Sequence, residues 1–293
     1  MSSKTMPRVT VVTACRNRLP QTLRFLALIT KQTYPDLHVV LVDSNSTDGT
    51  QAAVRKYFPG IELLTATDAH FWAGATNIGV KKGLDMASSY IFTINDDAQI
   101  ESTHIERLLE IAEAHDCPIL GSQINYAKPP GIVWSLGTSV DWARGVFMRL
   151  NYIDISSERL PADILAAEVI KVDAMPGNGV LIHRCVFEAI GLYRERWLPH
   201  YHADSEFVMR AVKYGFMAAV TPQLCVINEF YPEQKRLKKT NFIDLANIFL
   251  HPKSYLYMPG LLLIVLSYCP VRYWLIALIS LAYRLKQKLA SSA

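Results

Sequence analysis

The feature that most constrains this chain is the alternation of short apolar runs with helix-patterned segments through its first hundred residues. Residues 9–14 form an apolar strand pattern, a helical pattern follows Pro20, residues 39–42 form a second run, another helical pattern follows Asp48, and residues 90–94 form a further run. Strands separated by helices read as βαβ units, and βαβ units build a mostly parallel sheet. Two of the strands end in polar clusters, Asp43-Ser44-Asn45-Ser46-Thr47-Asp48-Gly49 and Asn95-Asp96-Asp97. Ligands of open α/β sheets bind beyond the carboxyl ends of the strands, so both clusters point to one crevice.

From residue 119 to about 175 the pattern changes to short strands with Gly and Pro turns, as in Pro129-Pro130-Gly131. That reads as an inserted antiparallel layer and hence a mixed sheet. Helical signals return at residues 183–190, stopped by Gly191, and at residues 204–214, stopped by Gly215. We therefore divide the chain into an α/β domain over residues 1–233 and a basic, apolar helical tail over residues 234–293. The tail opens with Lys235, Arg236, Lys238 and Lys239 and continues in apolar runs at residues 255–268 and 273–283. Each run is shorter than the ~20 residues that span a bilayer. Helices lying on or re-entering a membrane surface, with basic ends near anionic headgroups, suit these lengths. The alternative is an oligomerisation hairpin or ordinary core helices.

Half of the chain is apolar (51%), which excludes disorder as the main state. The net charge of +4 comes with no interleaving of basic and aromatic residues, so no nucleic-acid partner is expected. Five widely spaced cysteines without a CxxC fit neither a disulfide framework nor a zinc site. Residues 1–8 contain no apolar signal-peptide core, and a reducing, cytosolic setting follows.

Several residues carry candidate chemistry. Mg2+ or Mn2+ beside a nucleotide diphosphate prefers one or two carboxylates plus waters and phosphates, which Asn95-Asp96-Asp97 can supply, although Asn-Asp runs also make turns and caps. Asp43 can accept from the imide N–H of uracil or thymine, or serve only as a turn residue. Asp48-Gly49-Thr50 reads as a structural helix cap. Asp204 and Glu206 open a helix after Trp197-Leu198-Pro199-His200-Tyr201-His202. They read either as first-turn acids favoured by the helix dipole or as a source of a general base. His200 and His202 lack the spacing of a metal site and read as satisfied or exposed side chains. Phe71-Trp72-Ala73-Gly74-Ala75-Thr76-Asn77 reads as a turn-like segment whose aromatics line a pocket or anchor a loop.

Together and in order, these segments resemble family 2 glycosyltransferases, which have a GT-A fold. The resemblance rests on Val9 to Arg18, Val42 to Thr50, Gly74-Ala75-Thr76-Asn77-Ile78-Gly79, Asn95-Asp96-Asp97, Gly177 to Arg184, and Asp204-Ser205-Glu206-Phe207-Val208-Met209-Arg210. It covers roughly residues 8–230. It implies that Asp43 contacts the nucleotide base, that Asn77, Asn95 and Asp96 belong to the donor site, that Asp97 is the direct Mg2+ or Mn2+ ligand, and that Asp204 is the catalytic base. Ala203 stands where the family has a glutamate, and Val226-Ile227-Asn228-Glu229 stands where many relatives have a histidine. The Phe71-Trp72-Ala73-Gly74 variant and apolar tail are similar to those of enzymes that build bacterial surface polysaccharides on polyprenyl carriers, including rhamnosyltransferases.

The implied activity is inverting transfer from a UDP- or dTDP-sugar to a hydroxyl of a lipid-linked glycan, at the cytoplasmic face of the inner membrane. A nucleotidyltransferase would share the βαβ start and acidic site, but it would need a Gly-rich triphosphate loop, and Arg16-Asn17-Arg18 has no glycine. A non-catalytic sugar-binding homologue is the other rival.

Overall fold

Apolar runs flanked by helices fold as the alternation demands. In a computed structural model, which describes residues 6–229 and 249–290, β1 (Val9–Cys15), α1 (Leu19–Ile29), β2 (Leu37–Ser44), α2 (Thr50–Tyr57), β3 (Glu62–Ala66), α3 (Phe71–Asp85) and β4 (Tyr90–Thr93) follow one another. β1 lies between β2 and β4, and β3 flanks β2, all in parallel register. β1 and β4 are buried almost throughout, which is why they read as continuous apolar runs with no alternation.

The segment read as turn-like, residues 71–77, is instead the first two turns of α3. Its glycines hid the helix from a propensity reading, and the structure shows their purpose. A Cβ on Gly79 would lie 2.4 Å from Val12 Cγ1, and one on Gly83 would lie 2.5 Å from Ile91 Cδ1. The helix sits too close to the sheet for any side chain at those positions.

The chain continues through β5 (Ala98–Gln99), α4 (His104–Ala114), β6 (Ile119–Tyr126), β7 (Val133–Ser135), β8 (Thr138–Asp141), β9 (Val146–Leu150), α5 (Ala162–Ala166), β10 (Ile170–Lys171), β11 (Val180–His183), α6 (Arg184–Ile190), α7 (Ala203–Lys213) and β12 (Ala218–Asn228). The main sheet has the order β10-β12-β6-β11-β4-β1-β2-β3, with β5 on β12 and β7 on β6. It is mixed, as expected, because β11 runs antiparallel to both β4 and β6. The antiparallel insertion is smaller than the sequence suggests. β6 is a central strand paired in parallel with β12, and the separate hairpin is β8–β9 alone.

The described part of the tail comprises α8 (Met258–Tyr268) and α9 (Trp274–Ala290). Leu261, Ile264, Val265, Ala277 and Leu281 are buried in the same hydrophobic cluster as Phe207 of α7 and Val180 of β11. Gly260 lets α8 approach Leu198, whose Cδ2 would lie 2.4 Å from an added Cβ. Ser280 donates to the Gly145 carbonyl at 2.6 Å, fixing α9 to the β8–β9 hairpin. The outer faces expose Leu262, Leu266, Leu275 and Ile279. Among the described residues no helix is long and apolar enough to cross a membrane. The basic cluster at residues 235–239 lies outside the described residues.

Leu261 is 3% exposed, so Leu261→Ala is expected to cost about 2–5 kcal/mol through a cavity in the core of the α/β unit. Chemical denaturation of the full chain checks this. Removal of residues 255–293 should lower the thermal midpoint far more than a detachable anchor would.

Candidate active site

Two loops at the carboxyl end of the sheet are knitted together before any ligand arrives. Asn17, in the left-handed region at φ 50°, accepts from Thr47 N–H at 2.7 Å and donates its own N–H to Ser46 Oγ at 2.8 Å. Asp48 accepts from Thr50 N–H of its own turn and from Leu19 N–H at 2.9 Å. It therefore ties the start of α1 to that of α2, as the structural reading of residues 48–50 requires.

Asp43, the penultimate residue of β2, is fully buried. Its Oδ2 accepts from Ser46 N–H at 3.0 Å and Gln51 Nε2 at 2.6 Å, whereas among the described residues Oδ1 has only the Cys15 thiol at 3.4 Å. A thiol is a weak donor, so Oδ1 keeps capacity for a stronger one.

The Asn95-Asp96-Asp97 cluster follows β4. Asn95 N–H donates to Asn178 Oδ1 at 2.9 Å. Asp96 is 2% exposed and accepts from Thr22 Oγ1 at 3.0 Å, with Arg18 Nη1 3.1 Å from its other oxygen. Burial pushes its carboxyl up to about 6 against the opposing pull of Arg18. Asp97 Oδ2 accepts from Arg18 Nη2 at 2.7 Å. Asp97 Oδ1 and Asn228 Oδ1 are buried with no hydrogen-bond partner among the described residues. β5 brings these two residues together, because Ala98, next to Asp97, pairs with Asn228.

The described residues contain no group of three or more His, Cys, Asp or Glu arranged to hold a metal. The two orphaned oxygens nevertheless suit a hard cation that takes its remaining ligands from water and phosphate. Asp97 and Asn228 are the residues that would hold it.

A cleft of about 470 Å³ opens beside this cluster, lined by Trp72, Asn95, Trp134, Asn178, Asp204 and Asn228 among others. Asp204, in the first turn of α7, accepts from Gly177 N–H at 2.7 Å. A Cβ on Gly177 would meet Trp72 Cη2 at 2.9 Å and Asp204 Cβ at 3.0 Å, so only glycine allows this approach. Burial raises the Asp204 carboxyl above the usual carboxylate range, and the N–H donors of Gly177 and Ser205 only partly offset it.

Sequence reasoning missed three lining residues. His200 lines the cleft with its Nδ1 buried and unpartnered among the described residues, and burial pushes its imidazole down to about 4. Trp134 comes from β7, and Tyr255 comes from the tail. The Tyr255 carbonyl accepts from His202 Nε2 at 2.9 Å. No local pattern marks these three as site residues, because each reaches the cleft from a different element.

Two expectations change. Asn77 does not line this cleft. It is 3% exposed and bound to Tyr193, donating to its carbonyl at 2.9 Å and accepting its N–H at 3.0 Å. It also donates to Glu195 Oε2 at 2.8 Å, so it latches α3 to the segment before α7. Glu206 is more than a first-turn acid favoured by the helix dipole. It is fully buried, 3.3 Å from Arg210 and 3.4 Å from Arg194, and it accepts from the Tyr268 hydroxyl of α8 at 2.5 Å.

The Glycosyl transferase family 2 model matches residues 10–160, just over half of the chain. The chain belongs to glycosyl transferase family 2. A comparison with curated protein sequences gives no match. Among solved structures, TarS residues 1–349 from S. aureus in complex with UDP is 17% identical with a TM-score of 0.52, over 78% of this chain and 62% of that one. The same TarS fragment with UDP-GlcNAc is 15% identical with a TM-score of 0.55, over 78% and 60%. GalNAc-T7 with UDP, GalNAc and Mn2+ is 16% identical with a TM-score of 0.62, over 87% and 50%. The chain thus spans less than two thirds of each of these proteins, and at such identities the likeness shows a shared GT-A fold. For this family 2 chain, the mixed, mostly parallel sheet with its crevice at the strand ends is that fold.

Removing a carboxylate from a buried ion cluster leaves cations uncompensated, so Glu206→Gln should cost about 3–5 kcal/mol of stability. The expected readout is a lowered denaturation midpoint, not a selective loss of rate.

Proposed function

We propose that this family 2 chain is an inverting glycosyltransferase that moves a sugar from a UDP- or dTDP-sugar to a hydroxyl of a glycan acceptor. The observation that carries the reading is the Asp204 carboxylate, held by Gly177 N–H in a cleft whose walls include Trp72 and Trp134. Aromatic faces suit the apolar faces of sugar rings, and a fixed carboxylate suits the removal of a proton from an incoming hydroxyl.

The steps left to the protein follow from position. Asp43 Oδ1, at the end of β2, accepts from the imide of the base. Asp97 and Asn228 would hold Mg2+ or Mn2+ at the diphosphate end, where the ion would supply neutralisation of charge on the leaving group. Asp204 takes the acceptor proton as the hydroxyl attacks the anomeric carbon and the nucleoside diphosphate departs from the opposite side, which inverts the centre. TarS and GalNAc-T7 carry UDP, a UDP-sugar or UDP with Mn2+ in structures of the same fold, which supports this choice of donor and cation.

The acceptor is a polyprenyl-linked glycan of surface polysaccharide synthesis, met at the cytoplasmic face of the membrane, with a rhamnosyl donor as the finer reading. The exposed apolar faces of α8 and α9, close to the Tyr255 wall of the cleft, support contact with a membrane surface.

A panel of UDP- and dTDP-sugars, including dTDP-rhamnose, should raise the melting temperature in the presence of Mn2+, by about 2.7 kcal/mol of stability at 100 times the dissociation constant. No response to any member would reject the donor class. Asp204→Asn should lower single-turnover transfer by about 10²- to 10⁴-fold with little change in donor affinity. Because the folded pKa of Asp204 is raised, the basic form is lost as pH falls through that raised value. The acid limb of kcat/KM should therefore lie above the ~3.9 of a free aspartate and vanish in the variant.

A further inference from the structure

The acidic pair after β4 already carries a cation of its own. Arg18 places Nη1 3.1 Å from Asp96 Oδ1 and Nη2 2.7 Å from Asp97 Oδ2. Its main chain is fixed, since it stands between Asn17, held in the left-handed region and bound to Thr47 and Ser46, and Leu19, whose N–H is held by Asp48. Its side chain is 38% exposed, so the guanidinium can turn without uncovering a core. Among the described residues the neighbouring carboxylate of Glu229 is paired with Arg24 at 3.2 Å.

A divalent ion at Asp97 Oδ1, which has no hydrogen-bond partner among the described residues, would therefore share one carboxylate with a guanidinium that holds the other oxygen. Like charges within about 6 Å, at an effective dielectric constant of about 20, repel strongly enough to weaken binding of the lone ion by tenfold or more. A diphosphate reverses the sign of that effect. Its oxygens accept from a guanidinium and ligate a metal at once, so both cations gain when it arrives.

We propose that Arg18 is a resident counter-cation that makes divalent-metal binding at Asp97 conditional on the donor diphosphate, to which its guanidinium then transfers. This rests on the nucleotide-diphosphate and metal reading above. The coupling is reciprocal: whatever factor the nucleotide adds to metal affinity, the metal adds to nucleotide affinity. Its consequence is an empty site that does not collect free Mg2+ or Mn2+.

The test is Mn2+ binding, read from the spectrum of free Mn2+ by electron paramagnetic resonance, for the full chain, R18Q and K31Q, without nucleotide and with saturating UDP or dTDP. Lys31 is exposed and serves as the control for net charge. The expected result is that R18Q binds Mn2+ alone at least about tenfold more tightly than the unaltered chain, while K31Q does not. Nucleotide should tighten Mn2+ binding at least about tenfold in the unaltered chain and K31Q, and by much less in R18Q. Equal Mn2+ affinity of R18Q and the unaltered chain without nucleotide overturns the role of Arg18 while leaving the metal and donor reading intact. A gain in K31Q equal to that in R18Q also overturns it, because the effect is then one of overall charge. If neither nucleotide gives Mn2+ binding in any of the three, the donor and metal reading fails, and this proposal with it. D97N, which should lose Mn2+ binding in every background, confirms the location, and retention there counts against both.

Discussion

The site depends on one short segment, Pro176-Gly177-Asn178-Gly179, that crosses the end of the sheet. Asn178 Oδ1 receives the Asn95 N–H, and Gly177 N–H is received by Asp204. Gly179, at φ +79°, donates to the Thr93 carbonyl and lets the chain turn into β11 against Val226. Residues 95 and 204 are far apart in sequence, yet each is one hydrogen bond from this segment. The glycines are required because a Cβ at 177 would meet Trp72 Cη2 at 2.9 Å and one at 179 would meet Val226 Cγ2 at 2.4 Å, closer than real Cβ atoms come. If the segment shifts, the diphosphate end and the base end lose their common reference.

The charges around the crevice are arranged in two different ways. At the β4 end, acids and arginines meet at a half-exposed rim: Arg18 with Asp96 and Asp97, Arg24 with Glu229. The Arg24–Glu229 pair is the more exposed and contributes little to stability, whereas turning Arg18 away leaves the buried Asp96 in need of another counter-charge. Behind α7 a cluster of the buried Glu206 and Arg210, with the half-buried Arg194 and Tyr268, joins the base helix to α8. Breaking it leaves uncompensated charge in the core, so it acts as a fixed brace for the turn that carries Asp204. The tail is therefore both a surface element, through its outer apolar face, and a structural element, through its inner one.

The βαβ beginning, the two acidic clusters at strand ends and the helix opened by Asp204 were legible in the sequence. They rest on local periodicity and on short polar runs that follow apolar ones, and those signals survive without tertiary context. Helix α3 was not legible as a helix. Gly74, Gly79 and Gly83 lower helical propensity, and the reason for two of them, the close approach of Gly79 to Val12 and of Gly83 to Ile91, exists only once the sheet is built. Asn77 was assigned to the donor site and Glu206 to the helix dipole or a general base for the same reason: a polar residue's partners, Tyr193 and Glu195 for one and Tyr268 for the other, lie in distant parts of the chain.

The sequence by itself determined the family 2 character of the chain, the parallel sheet and the identities of the carboxylates beyond its strands, because each is written in residues that are neighbours along the chain. Only the tertiary structure decided which of those polar groups are spent on the protein and which stay open. Among the described residues Asp97 Oδ1 and Asn228 Oδ1 are left without partners, while Asn77 and Glu206 are fully engaged. That difference arises from desolvation and from hydrogen bonds between elements far apart in sequence, and no local pattern encodes it.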